Sequence, residues 1–437
     1  MRISVIGLGY LGAVHAASMA KLGHDVVGVD VDATKVDALA AGKPPFYEPG
    51  LDDLLTEVSG TGRLQVTTDL SAIRGAQVHF VCVGTPQRAD GYAADLTYVD
   101  AAIQNLITHL SPGEIVVGKS TVPVGTAERL AEVVRRAVPG AHLAWNPEFL
   151  REGFAVQDTL SPDRIVYGVP NGEAAAEVTA ALDSVYDAPL SGGTPRIVTD
   201  LPTAELVKVA ANSFLATKIS FINAMAELCE TAGADVTQLA DAIGHDARIG
   251  RRFLNAGLGF GGGCLPKDIR AFMARADELG AGEAVAFLGE VDAINIRRRV
   301  RMVELAREVL DGSITGKRVT VLGASFKPDS DDVRDSPALD VAARLSELGA
   351  VVTVHDPQAI DNARAKQPHL HYERDLEAAL AGADAVLLLT EWKQYRDLDP
   401  EHVGRLVAQR TILDGRNALD RAAWTGSGWQ YRALGRR

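Results

Sequence analysis

The sequence predicts an α/β protein with two Rossmann-like, doubly wound parallel-sheet domains joined by a helical middle region that contains a long central helix. Three features predict it. Short apolar runs alternate with helical patterns from the N-terminus to about residue 200, as in a parallel sheet with crossover helices. The same alternation returns after about residue 300. Between the two stands "TAELVKVAANSFLATKISFINAMAELCETAG", with no proline or glycine before Gly233, which reads as one helix. The predicted domain ranges are 1–200, 201–300 and 301–437.

In chain order, "RISVIGLGYLGAVHAASMAKLGHDVVGVDVD" reads strand, tight turn, helix, strand. Ile3, Val5 and Ile6 form the apolar run of a buried parallel strand. Gly23 is placed to end the helix. Further strands are expected at "VHFVCVG", "EIVVGKST" and "HLAWNPEF". The long helix, from about Thr203, is apolar on nearly every side and is expected to be buried among other elements. "DVTQ" opens another helix with Asp235 as N-cap and Gln238 at the capping-box position. In "LPKDIRAFMARADELG" the pattern is again helical, with Pro266 in the first turn. The second alternation runs through "KRVTVLGASF", "AVVTVHDP", "ADAVLLLTEW" and "RTILDGRNAL" and weakly repeats the first. Its "VLGASF" lacks the glycine spacing found near the N-terminus, so a different nucleotide mode and a purely structural role both stand open.

The totals set bounds. A chain of 437 residues makes roughly two to four domains, and 47% hydrophobic with 23% charged residues is ordinary globular composition. A formal charge of −13 argues against nonspecific nucleic-acid binding. Three widely spaced cysteines make no disulfide framework, and no Cys/His spacing suggests zinc or another metal. The N-terminus starts as a strand rather than a signal peptide, and no apolar run is long enough to span a bilayer. The expectation is a cytoplasmic protein without nucleic-acid or membrane partners.

"GLGYLG" supplies Gly7, Gly9 and Gly12 in the G-x-G-x-x-G spacing, after a strand and before a helix. The first glycine allows the turn, the second lets a pyrophosphate approach, and the third lets helix and strand pack closely. Asp30, at the end of the next strand, is placed for ribose hydroxyls and would repel a 2′-phosphate. That favours NAD over NADP, tempered by Lys35 nearby. Thr121 in "STVPVGT" stands just past a strand's carboxyl end, where such sheets bind ligands. Lys208 and Asn212 share a face of the long helix; a snorkelling lysine is the plain alternative. Glu148 and Glu152, around "NPEFLREG", signify little alone.

The stretch "GFGGGCLPKD" asks for more. Its glycines let backbone come close to something bulky, and Cys264 stands at a helix N-terminus beside Lys267. Both settings stabilise a thiolate. A small residue packed in the interior describes Cys82 and Cys229 well and Cys264 poorly.

Taken in order, "GLGYLG", "FYEPGL", "STVPVGT", "NPEFLREG", "GFGGGCLPKD" and "FKPDSDDVRDSP" resemble the UDP-glucose/GDP-mannose dehydrogenase family over nearly the whole chain. The resemblance implies an NAD-binding domain first, a central dimerisation region carrying catalytic residues, and a UDP-sugar-binding domain last. It implies NAD-dependent, four-electron oxidation of UDP-glucose to UDP-glucuronate. Alternatives are GDP-mannose or UDP-N-acetylmannosamine as substrate, or a two-electron dehydrogenase in which Cys264 is structural. A non-catalytic NAD-sensing protein on the same fold is a further class.

The resemblance also implies roles. Cys264 matches the nucleophile. Lys208, Asn212 and Asp268 match the polar group around the sugar C6 and a water, with Thr121 and Glu148 at that water and at hydrolysis. The cofactor positions are Gly7, Gly9, Tyr10, Leu11 and Gly12, then Asp30, Lys35, Thr85, Pro86 and Thr121. Further cofactor positions are Glu152, Lys267 and Arg334. Substrate contacts are expected from Glu148, Phe149, Leu150, Arg151 and Glu152, and from Lys208 and Asn212. The loop from Phe253 through Asn255, Gly257, Gly259 and Phe260 to Gly261 matches the cover over uridine and sugar. Phe326, Lys327 and Arg416 match contacts from the C-terminal domain. Arg248 matches an arginine that reaches a neighbouring subunit's substrate, so a homodimer or larger homo-oligomer is expected. Gly263 departs from the family, which often has serine there.

Overall fold

The computed structural model describes residues 1–436; Arg437, the last residue of the expected 301–437 domain, lies outside the described residues. By their internal contacts the residues form two units, Met1–Ala211 with Ala274–Gly282, and Asn212–Met273 with the chain from Glu283 onward.

The first unit carries an eight-stranded sheet. Its strands are β1 (Arg2–Ile6), β2 (Asp25–Val29), β3 (Leu64–Thr67), β4 (Val78–Val81), β5 (Ile115–Gly118), β6 (His142–Trp145), β7 (Ile165–Val169) and β8 (Arg196–Asp200). The order is β3-β2-β1-β4-β5-β6-β7-β8, so the direction of winding reverses at the β1/β4 boundary. That boundary is the ligand-binding crevice of such sheets. Two apolar layers cover the sheet. One gathers Val5 and Phe80 with Val14 and Leu55 from helices Tyr10–Lys21 and Leu51–Ser59. The other gathers Val81 and Trp145 with Ile103 and Leu130 from helices Thr97–Leu106 and Thr126–Ala137.

The sheet is not wholly parallel: β7 pairs antiparallel with β6, while β8 runs parallel to β7. An apolar run such as "IVYGV", buried at every position, tells that a strand is covered on both faces. It does not tell which way the strand points.

In the second unit, β9 (Arg318–Leu322), β10 (Val351–His355), β11 (His371–Tyr372), β12 (Ala385–Leu388), β13 (Thr411–Asp414) and β14 (Gln430–Ala433) form an all-parallel sheet in the order β11-β10-β9-β12-β13-β14. This repeats the winding of the first six strands of the other sheet. The likeness stops at the first loop. Asp356, at the end of β10, occupies the place that Asp30 holds after β2. Its carboxylate accepts from Ala324 N, Ser325 N and Oγ, Gln358 N, Ala359 N and Trp392 Nε1. With its lone pairs so engaged it has none for a ribose, and the nucleotide mode of the first sheet is closed to the second.

The long helix is Leu201–Ala232, 32 residues. The expectation that it is buried among other elements holds for part of its surface only. Ile222, Ala226 and Cys229 pack into one apolar cluster and Ala216 into another, but Phe214, Phe221 and Leu228 are 67%, 49% and 61% exposed. They recur every seven residues, so they share one stripe. Neighbours cover the sides of a helical cylinder they can reach, and none within the described chain covers this one. Downstream, Asp235 caps the Val236–Gly244 helix by accepting from Thr237 N.

Candidate active site

The glycine loop after β1 shows three different demands. Gly7 has φ +89°, and an added Cβ would come within 2.9 Å of Val83 after β4. A Cβ on Gly12 would stand 1.7 Å from Gly7 O, far inside van der Waals contact, so only glycine lets the helix approach the strand. Gly9 is the N-cap of helix Tyr10–Lys21 and has nothing within 4 Å of its missing Cβ. Open space in front of a helix N-terminus is what a pyrophosphate needs. Asp30 Oδ2 accepts from Leu8 N at 2.6 Å and Oδ1 from Asp32 N at 2.9 Å. One further lone pair on each oxygen suits a ribose hydroxyl, so these residues fit NAD. Lys35 turns to Asp32 at 3.5 Å on the surface.

Tyr10 does not present its hydroxyl to a ligand. It donates to Glu48, its ring lies 4.7 Å from Phe46, and burial followed by the hydrogen bond to Glu48 raises its pKa. Glu48, the acid of "FYEPGL", is 1% exposed and accepts from Gly153 N and Ala155 N at 2.7 Å each. It thereby fixes the loop around Glu152, which is itself buried.

The loops after β4, β5 and β6 come together because those strands are neighbours. Thr85 Oγ1 donates to Thr121 O at 2.8 Å, and Pro86 O accepts from Asp95 N. Glu148 Oε1 accepts from Phe149 N at 2.6 Å and Leu150 N at 2.9 Å, and Oε2 pairs with Lys119 Nζ at 3.0 Å. Burial opposes ionisation of Glu148, but Lys119 and the two amides hold its pKa below the usual carboxylate range. The Phe149 ring lies 3.8 Å from the Arg164 guanidinium and 5.4 Å from Lys208 Nζ. Arg151 pairs with Asp158 at 2.6 Å, its side chain largely in solvent.

In the second unit Cys264 is exposed and immediately precedes helix Leu265–Glu278, with its carbonyl accepting from Asp268 N at 3.0 Å. Asp268, 2% exposed, accepts from Asn212 Nδ2 at 2.7 Å and from Lys267 Nζ at 2.5 Å. Lys267, the lysine beside the thiol in the sequence, is ion-paired with Asp268. Cys82 and Cys229 are buried, and burial pushes the Cys82 thiol up to about 12.

The bulky groups that the glycines admit are the chain's own. A Cβ on Gly259 would meet Asn295 Oδ1 at 2.0 Å, and one on Gly262 the Phe326 ring at 2.8 Å. A Cβ on Gly263 would meet the Arg334 guanidinium at 2.3 Å, the far end of a flexible side chain. Asn295 clamps Phe260 twice, by Phe260 N at 2.7 Å and Phe260 O at 2.9 Å, and Asn223 Oδ1 holds Gly257 N at 2.8 Å. Arg416 donates to Gly259 O, Leu389 O and Phe326 O, so it serves the loop. Lys327 Nζ lies 5.4 Å from the Phe326 ring. Phe253 sits at φ +66°, a strained setting for a bulky residue. Asn255 accepts from Arg251 at 2.7 Å, and Arg248, 89% exposed, pairs with Asp246.

Three family models cover most of the chain. Residues 1–188 match the NAD binding domain of the UDP-glucose/GDP-mannose dehydrogenase family, 202–297 its central domain, and 320–421 its UDP binding domain. The chain belongs to this family. NAD is accordingly its cofactor. The UDP-glucose 6-dehydrogenase TuaD of Bacillus subtilis is 42% identical over all of this chain and 93% of that protein. The UDP-glucose 6-dehydrogenase of Rhizobium meliloti is 41% identical over the full length of both. The solved UDP-glucose dehydrogenase of Pyrobaculum islandicum superposes with a TM-score of 0.90 at 39% identity, covering 100% of this chain and 98% of that one. A UDP-D-ManNAc dehydrogenase from Pyrococcus horikoshii reaches 0.86 at 27% identity, covering 100% and 99%.

Sequence reasoning passed over Lys119, Glu48, Asn295 and Arg164. Lys119 did carry a signal: a lysine directly after the apolar run "IVVG". The others act through pairings that no local pattern announces.

Proposed function

We propose that this chain oxidises UDP-glucose to UDP-glucuronate with NAD, through a covalent intermediate on Cys264. The observation that carries the covalent route is the exposed thiol at the head of a helix whose next turn holds Asp268 in the grip of Asn212 and Lys267. The choice of sugar nucleotide rests on the full-length UDP-glucose relatives. Bound NAD supplies the acceptor for both pairs of electrons.

Oxidation of the C6 alcohol leaves an aldehyde, which has no hydride to give until something adds to it. The Cys264 thiolate adds to the carbonyl carbon, forming a C–S bond and an oxyanion. Lys208 and Asn212, one helical turn apart, supply N–H donors for that oxyanion. The second oxidation leaves a thioester. Water, activated by Glu148, forms the new C–O bond, and the thiolate departs as the C–S bond breaks. Asp268 manages protons through water or Lys208. In total one UDP-glucose, two NAD⁺ and one water give UDP-glucuronate, two NADH and three protons.

A test is to offer UDP-glucose, GDP-mannose and UDP-N-acetylmannosamine with NAD and to count NADH and acid. Two NADH per acid, with UDP-glucose preferred, is the expected result. One NADH with released aldehyde would remove the covalent route and leave Cys264 structural.

The reading includes a cytoplasmic enzyme, where its thiol stays reduced. It also includes a symmetric dimer formed by the 201–300 region. The stripe Phe214, Phe221, Leu228 is self-complementary. If two copies of helix Leu201–Ala232 cross antiparallel on a twofold axis at Phe221, each Phe214 meets the other copy's Leu228. Phe221→Asp then sets two carboxylates together at the axis and is expected to give a monomer by sedimentation. A dimer of unchanged affinity overturns this pairing.

A further inference from the structure

Lys119 is a buried ammonium to which the chemistry above gives no role. It follows β5 directly, and Asn146 follows β6 directly. Gly118 pairs with Trp145, and Asn146 N donates to Gly118 O at 2.8 Å, so the two residues come side by side. The lysine side chain is 4% exposed. Its three protons have three acceptors: Glu148 Oε2 at 3.0 Å, Asn146 Oδ1 at 2.9 Å and Tyr186 Oη at 3.4 Å. Asn146 is itself fixed. Its Oδ1 accepts from Tyr186 Oη at 2.5 Å and its Nδ2 donates to Val166 O at 2.9 Å. The ammonium therefore has one position, and Glu148 is its single anionic contact.

We propose that Lys119 is the positioning residue of the hydrolytic half-reaction, holding Glu148 as a carboxylate in one orientation so that water can attack the thioester. The proposal rests on the reading of Glu148 given above. Burying a lone ammonium is costly, and it is retained here with one carboxylate and full hydrogen bonding. The ammonium ends on a carboxylate whose other oxygen is tied to the backbone of Phe149 and Leu150. Glu148 is thus held at both oxygens, and its side chain keeps 18% exposure, enough to meet a water.

The groups that face the pair do not compete for its charge. Burial pushes the Tyr186 phenol and the Cys82 thiol up to about 12 each, so both stay protonated. Burial, with Lys119's own charge, drives His15 well below its ordinary value, so it stays neutral. Lys119 is raised: burial opposes its charge, and the Glu148 carboxylate outweighs burial. Arg164 and Lys208 stand at the Phe149 ring.

The sign follows. Lys119 lowers the pH at which Glu148 gains a proton, so acid formation in the native enzyme persists on the acidic side. An opposite charge this close moves a carboxylate by about one to three pH units. Lys119→Met removes the charge and keeps the length. It is expected to shift the acidic limb of kcat upward by about one to three units, and to slow acid formation at neutral pH about tenfold or more. The sugar adduct on Cys264 should then accumulate, read by intact mass after an acid quench, while the first NADH forms at the native rate.

Glu148→Gln is run beside it. Normal hydrolysis in Glu148→Gln would sink the role of Glu148 itself. Blocked hydrolysis there, with an unmoved acidic limb in Lys119→Met, would sink only the Lys119 proposal. Should Lys119→Met fail to fold, the paired variant Lys119→Met/Glu148→Gln leaves no uncompensated charge. It is expected to hydrolyse at the rate of Glu148→Gln alone. A rate about tenfold below that would mean that Lys119 acts elsewhere and overturns the proposal.

Discussion

Cys264→Ala is expected to bind UDP-glucose and NAD as the native chain does and to form essentially no UDP-glucuronate. The thiol is exposed at the start of helix Leu265–Glu278 and fills no core, so its removal leaves no cavity. The bonds around it remain: Asp268 N still reaches the backbone carbonyl at position 264, and Asp268 keeps Asn212 and Lys267. What the substitution removes is the thiol proposed as nucleophile. Without it the aldehyde has nothing to convert it into a second hydride donor, and removing a nucleophile of this kind costs on the order of a thousandfold or more in turnover. At most one NADH per bound sugar should then appear. Calorimetry for binding, and separate assays of NADH and acid, decide the matter. Acid production near the native rate would mean that Cys264 is not the nucleophile.

Gly259→Ala is expected to keep NAD affinity and to lose UDP-glucose turnover. Two costs fall on one atom. At φ +87° an alanine is in the left-handed region, a penalty of about 1–2 kcal/mol. Its Cβ would stand 2.0 Å from Asn295 Oδ1, so Asn295 must leave its place. Asn295 is fully buried and holds Phe260 N and Phe260 O. Unpairing such groups costs about 1–3 kcal/mol each. The loop would then lose the clamp that shapes it, while Gly7, Gly9 and Asp30, in the other unit, are untouched. A fall in kcat/KM for UDP-glucose of about tenfold or more is expected, since about 1.4 kcal/mol corresponds to that factor. NAD binding by fluorescence is the control. An unchanged KM for UDP-glucose would show that the Asn295 clamp does not shape the substrate loop.

The two predictions draw on different kinds of legibility. Cys264 could be read from its neighbours in the chain: a helix start, glycines and a nearby lysine are local facts. The reason for the glycines could not. Nothing in "GFGGGC" reveals that Asn295, Phe326 and Arg334 occupy the space beside them, because each comes from an element far along the chain. The same holds for Lys267, a local neighbour of the thiol whose charge goes to Asp268.

The sequence by itself determined the alternating elements, the glycine turn with its three spacings, Asp30 after β2, and the helix starts at Asp235 and Cys264. These depend on periodicity, on caps and on backbone freedom, all properties of a short run of residues. Tertiary structure alone decided the antiparallel turn of β7, the apolar stripe left on helix Leu201–Ala232, the saturation of Asp356, and the Lys119–Glu148 pair. Each of these depends on which distant residue arrives opposite another. A strand carries no mark of its direction, a helix none of which side its neighbours reach, and a buried charge none of its partner until the chain has folded around it.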